Sequence, residues 1–100
     1  MWIKGEVGGK HEYSSACVGS AEFRTNGYQG GDAGHGGFAE VTFDTSGCST
    51  ALEANVDGHQ FDNVGRISLK FRGDAEMMEA IKCFEFLASN LRRVLGLPSE

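Results

Sequence analysis

The stretch RISLKFRGDAEMMEAIKCFEFL, Arg66–Leu87, changes its hydrophobic period in the middle. Up to Arg72 the apolar residues alternate. Ile67, Leu69 and Phe71 share one face, and Arg66, Ser68, Lys70 and Arg72 share the other, as in a half-buried strand. From Asp74 the period becomes 3.6. Met77, Ile81, Phe84, Ala88, Leu91 and Leu95 form one helical stripe. Asp74 suits the N-cap. Glu76 and Glu79 sit near the positive end of the helix dipole, and Arg92 and Arg93 near the negative end. Gly96 can close the helix in a left-handed conformation, and Pro98 prevents its resumption. Such a helix must bury its stripe against the apolar face of a sheet.

Upstream, the strand period recurs. In SACVGSAEFRTN, Cys17, Gly19, Ala21 and Phe23 alternate with Val18, Ser20, Glu22 and Arg24. FAEVTFD places Ala39, Val41 and Phe43 opposite Glu40, Thr42 and Asp44. Thr45–Cys48 reads as a turn. TALEANVD alternates Leu52, Ala54 and Val56 with Glu53, Asn55 and Asp57. Gly58–Gly65 reads as a loop too long for a tight hairpin. If Asp57 faces Arg66 in an antiparallel pair, Glu53 faces Lys70, and two opposite-charge pairs fall on the solvent face. In residues 1–13, Trp2, Ile3 and Val7 can form a short strand that Gly8-Gly9 turns. The expectation is a two-layer α+β fold: three to four antiparallel strands packed on one C-terminal helix, with residues 1–100 forming a single domain.

The chain has 100 residues, 40% of them hydrophobic, seven phenylalanines and a net charge of -5. The core is modest for that size, and oligomerisation would enlarge it. An acidic chain lacks the basic footprint of a general nucleic-acid binder or of a protein drawn to anionic membranes. The cysteines, Cys17, Cys48 and Cys83, form no CxxC pair and are odd in number, so neither a disulfide framework nor a zinc knuckle is expected. The N-terminus lacks an apolar signal segment and no run reaches transmembrane length. A cytoplasmic protein is expected, with no membrane, metal or cofactor.

The candidate site is GYQGGDAGHGG, Gly27–Gly37, in which six of eleven residues are glycine. Gly34–Ala39 fits GxGxxA, but a strand follows it where a dinucleotide fingerprint needs a helix. Gly31 and Gly36 have Walker A spacing, but no Lys-Ser/Thr follows. What remains is a backbone nest. Clustered glycines can aim several N–H groups at one anion without any lysine. The backbone of Gly30, Gly31, Gly34, Gly36 and Gly37 would cradle a phosphate, and Arg24 can pair with it. Tyr28 and Phe38 flank the loop and can stack on a base. Asp32 can accept from ribose or base donors, and His35 can donate to an oxyanion. The competing reading is an inter-strand connection or Ω-loop. Asp32 and His35 could also form an acid–base pair, but no nucleophile stands beside them. His11 and His59 complete no ligand pattern with them. On the helix, Phe86 lies on the polar side near Arg93. It marks a candidate subunit contact with two-fold symmetry.

TNGYQGGDAGHGG, the alternating strand after it and LKFRGDAEMMEAIKCFEFL resemble a pattern found in short uncharacterised accessory proteins of phages and prophages, over roughly residues 23–95. The resemblance implies an accessory protein that acts against host defence by binding. Some such proteins occupy a defence complex, as anti-CRISPR proteins do. Others sequester a nucleotide signal. No residue roles transfer with it.

The leading expectation is therefore a non-catalytic binding protein for a phosphorylated, nucleotide-like ligand. The alternative is an inhibitor that binds a host protein complex through acidic residues such as Glu40, Glu53 and Asp57. A second alternative is a small hydrolase using Asp32 and His35.

Overall fold

A computed structural model describes residues 5–13, 18–28, 30, 36–47 and 52–98. Its centre is the strand that the FAEVTFD alternation predicts. Here this is β3, Phe38–Gly47, preceded by β1, Val7–Glu12, and β2, Val18–Thr25. After it come β4, Ala54–Val56, β5, His59–Phe61, β6, Arg66–Arg72, and α1, Asp74–Val94. Four strands form an antiparallel sheet in the order β1-β2-β3-β6, and β4 and β5 form a separate two-stranded sheet. The α+β class and the strand-then-helix reading of Arg66–Leu87 hold.

The register sorts the side chains as the alternation requires. One face carries the rows Phe23–Val41–Leu69 and Ala21–Phe43–Ile67. The other carries Arg24–Glu40–Lys70 and Glu22–Thr42–Ser68, with Lys10 reaching Glu22 at 3.8 Å. The Thr42 and Ser68 hydroxyls lie 2.8 Å apart within that second row.

Four local expectations are corrected. Gly8-Gly9 is not a turn but the interior of β1, paired with Arg24 and Phe23. Thr45–Cys48 does not end the strand: β3 runs to Gly47 through a shift in its register with β2. Cys48 itself lies outside the described residues. Residues 54–56 do not pair with β6. Asp57 and Gly58, at φ 51° and 85°, fold them straight back onto His59–Phe61. Two central residues at positive φ make a type I′ turn, whose twist matches the strands. Finally, Gly73 and not Asp74 caps α1, and no side chain hydrogen bonds to that cap.

The C-terminal stop is as expected. Gly96 has φ 72°, the Leu97 amide donates to the Arg92 carbonyl at 2.8 Å and the Gly96 amide to that of Arg93 at 3.3 Å. These two bonds constitute a Schellman motif.

The helix covers only one end of the apolar sheet face. Phe84 meets Phe71 edge-on, with ring centroids 6.0 Å apart. Met77 and Ala80 are buried on α1, but Ile81 is half exposed, and Leu87, Leu91, Val94 and Leu95 are more exposed still. Phe38, Met77 and Ala80 are the only buried hydrophobic side chains among the described residues. Phe38 lies on the polar face of the sheet, where Arg24 and Lys70, its diagonal neighbours, cover its ring at 4.9 and 4.6 Å. No helix among the described residues is long and apolar enough to cross a membrane.

Candidate functional site

The glycine-rich stretch is the β2–β3 connection, and its neck is held shut. Thr25 ends β2 opposite Ala39, and its hydroxyl donates to the Phe38 carbonyl at 2.7 Å. Beyond it, Asn26 continues the ladder with its side chain. Its Oδ1 accepts the Phe38 amide at 2.9 Å and its Nδ2 donates to the Gly36 carbonyl at 3.1 Å. A short amide side chain can thus replace a backbone pair. The neck is also tied to the helix. The Gly73 amide donates to the Gly37 carbonyl at 2.9 Å, and the Gly30 amide to Asp74 Oδ2 at 2.9 Å.

These ties account for three of the six glycines. Gly27 and Gly30 have φ of 77° and 71°, values that side chains rarely adopt. A Cβ on Gly37 would stand 3.0 Å from both Asp74 Oδ1 and Met77 Cε, so glycine there lets the helix N-terminus approach. Gly31, Asp32, Gly34 and His35 lie outside the described residues.

Of the other predicted ligands, Arg24 is engaged by two carboxylates. It donates to Glu6 Oε1 at 2.8 Å and to Glu40 Oε1 at 3.1 Å. Glu6 foremost, then Glu40, hold its pKa above the ordinary value. A phosphate at Arg24 would therefore compete with both. Phe38 has no open ring face to offer a base, being 8% exposed beneath its two cations. Tyr28 is differently placed. Its hydroxyl meets the Met78 sulfur, which ties the side chain to the N-terminal part of α1.

That ring borders a groove between α1 and the apolar sheet face. The groove holds about 470 Å³ and is lined by Phe23, Tyr28, Val41, Phe71, Ile81 and Phe84 among others. Its volume lies in the range of about 300–1,000 Å³ usual for small-molecule sites. It was not read from the sequence. The signal was present in a stripe of six apolar residues running from Met77 to Leu95 and set against one sheet face, but the uncovered part depends on where the helix lands.

The acidic residues of the alternative reading do not form one face. Glu40 belongs to the four-stranded sheet and is paired with Arg24, whereas Glu53 and Asp57 lie on or beside the β4–β5 hairpin, with the Gln60 amide donating to Glu53 at 3.3 Å. On the helix, Phe86 is 65% exposed on the polar side. Near it Arg93 donates to Asn90 Oδ1 at 2.9 Å, and the Asn90 amide donates to the Phe86 carbonyl at 2.8 Å. Cys83 is an exposed free thiol. Among the described residues no three His, Cys, Asp or Glu side chains are grouped to hold a metal.

No protein-family model, curated protein or solved structure matches this chain.

Proposed function

We propose that the protein is a non-catalytic binding protein for a phosphorylated, nucleotide-like ligand, held between the α1–sheet groove and the glycine loop. The observation that carries this reading is the position of the groove. Its wall includes Gly27 and Tyr28, the first residues of the loop. Gly30 and Gly36, the two ends of the 31–35 segment, are both fastened at the loop neck. A flat apolar body such as a base suits the groove, with Tyr28 as its stacking partner. The 30–37 backbone would cradle the phosphate, with Asp32 and His35 setting specificity. Arg24 becomes a supporting residue that keeps the sheet edge in place. Combined with the resemblance to phage accessory proteins, this is the chemistry of a counter-defence protein that sequesters a nucleotide signal in a host cell.

Calorimetric titration with linear and cyclic nucleotides tests the reading. Wild type is expected to bind stoichiometrically and return the nucleotide unchanged, while Tyr28→Ala and His35→Ala lose at least about tenfold in affinity without loss of fold. Normal binding by both variants removes the site. Conversion of the nucleotide, abolished in Asp32→Asn, would establish the hydrolase instead.

A second reading, inhibition by protein binding, has one observation in its favour. Val56 and Phe61 are half exposed on the β4–β5 hairpin, beside Asp57 and Asp62. Loss of partner capture on Val56→Asp with nucleotide binding intact would favour it.

A further inference from the structure

We propose that the C-terminal half of α1 is a homodimer interface, in which two copies of the helix pack antiparallel about a two-fold axis between Ser89 and Asn90. This interface shares Phe84 with the wall of the α1–sheet groove and does not require a ligand there.

The inward stripe of α1 keeps a seven-residue repeat to its end. Met77, Phe84 and Leu91 occupy one position and Ile81, Ala88 and Leu95 the other, in the alternating four-and-three spacing of a coiled-coil seam. The chain's own sheet covers this seam from Met77 to Phe84, whose ring edge meets Phe71, and leaves the rest open. Met77 is 5% exposed, but Leu91 and Leu95 are 58% and 65% exposed. Leu87 and Val94, which flank the seam on one side, are 52% and 70% exposed. Glu85 and Arg92 flank it on the other side.

A second copy completes this surface in one arrangement. Antiparallel packing with Phe84 against Leu95 of the second copy also sets Ala88 against Leu91, a small residue against a large one, and the symmetry repeats both layers. The same register brings Glu85 opposite Arg92 twice and Leu87 opposite Val94 twice. Like flanking positions meet in an antiparallel pair. In a parallel pair unlike ones meet, and Glu85 and Arg92 would then face the apolar Ala80 and Leu87 of the second copy. Charge complementarity therefore selects the antiparallel dimer. Arg92 already donates to the Pro98 carbonyl at 2.8 Å, but a guanidinium carries five N–H donors.

Phe86 lies on the opposite side of the helix and takes no part.

Sedimentation velocity over a dilution series tests the proposal. The expected species has twice the 10.7 kDa chain mass. Leu91→Glu is expected to give a folded monomer, since the side chain is exposed in the single chain. Glu85→Arg and Arg92→Glu are each expected to weaken the dimer about tenfold. Mixing those two variants, or combining them in one chain, restores opposite charges at both contacts and the wild-type dissociation constant. A monomer at every concentration would overturn the proposal. So would a dimer that Leu91→Glu and both charge reversals leave intact while Phe86→Ala dissociates it.

Discussion

The Gly30 amide donates to Asp74 Oδ2 at 2.9 Å across 44 residues of sequence. The first residue of the helix thus fastens the glycine loop instead of capping its own backbone. Asp74 Oδ1 also lies where a Cβ on Gly37 would come within 3.0 Å. One carboxylate contacts both arms of the loop neck.

Asp74→Ala should loosen that neck. Loss of a charge-assisted hydrogen bond at a half-buried site costs about 1–2 kcal/mol, or a fall of roughly 4–16 °C in Tm for a domain of this size. Asp74→Asn keeps an acceptor oxygen and should lose less than half as much. Thermal unfolding measures both, and amide exchange at Gly30 should accelerate more than exchange in β3. Equal protection of Gly30 in Asp74→Ala and wild type would mean that the contact does not hold the loop.

Two glycines on β1 and β2 lie under aromatic rings, and their substitutions should differ. A Cβ on Gly9 would meet Phe23 Cε1 at 2.6 Å, but that ring is half exposed and can swing away. A Cβ on Gly19 would meet the Tyr13 ring at 2.7 Å and also the Asp44 carbonyl at 2.9 Å, which is backbone inside the β2–β3 ladder. Gly9→Ala should cost under about 1 kcal/mol and Gly19→Ala about 1–3 kcal/mol, the usual penalty of overpacking. Urea denaturation of the two variants decides it; the reverse order would show that the Phe23 ring is the more rigid.

Acid should act through Asp44. The Ser46 hydroxyl, at 2.6 Å, and the Ser46 amide, at 3.0 Å, both donate to its Oδ1. These bonds, the hydroxyl first, hold its pKa below the ordinary 3.8. A carboxyl depressed in the folded state stabilises the fold above its unfolded pKa, and that stabilisation is lost as pH falls through the folded value. Wild type should therefore lose stability below pH 3.8 more steeply than Asp44→Asn, which has no proton to take up. Parallel stability curves for the two proteins in that range would assign the acid limb to other carboxylates.

The pairing of β6 shows how far residues alone can be read. Charge alone sets Lys70 and Arg66 opposite Glu53 and Asp57. In the structure Lys70 faces Glu40 and Arg66 faces Asp44. Both acidic pairs are four residues apart on an alternating segment, so complementarity cannot distinguish them. The Asp57-Gly58 turn breaks the tie by folding 54–56 onto 59–61. That turn was legible, but the weakly apolar HQF segment after it did not read as a strand.

The sequence by itself determined what depends on neighbours within a few positions. It settled the helix from Asp74, its stop at Gly96, the alternation of β2, β3 and β6, and the place of the glycine stretch between two strands. Periodicity and turn chemistry are local, and no distant residue is needed to express them. Tertiary structure alone decided which strands became neighbours, that Arg24 is held by Glu6 and Glu40, that Asp74 ties down Gly30, and where the helix lies on the sheet. These depend on distances between residues far apart in the chain. A seam can be read from spacing, but the turns of it left uncovered depend on the length of sheet beneath.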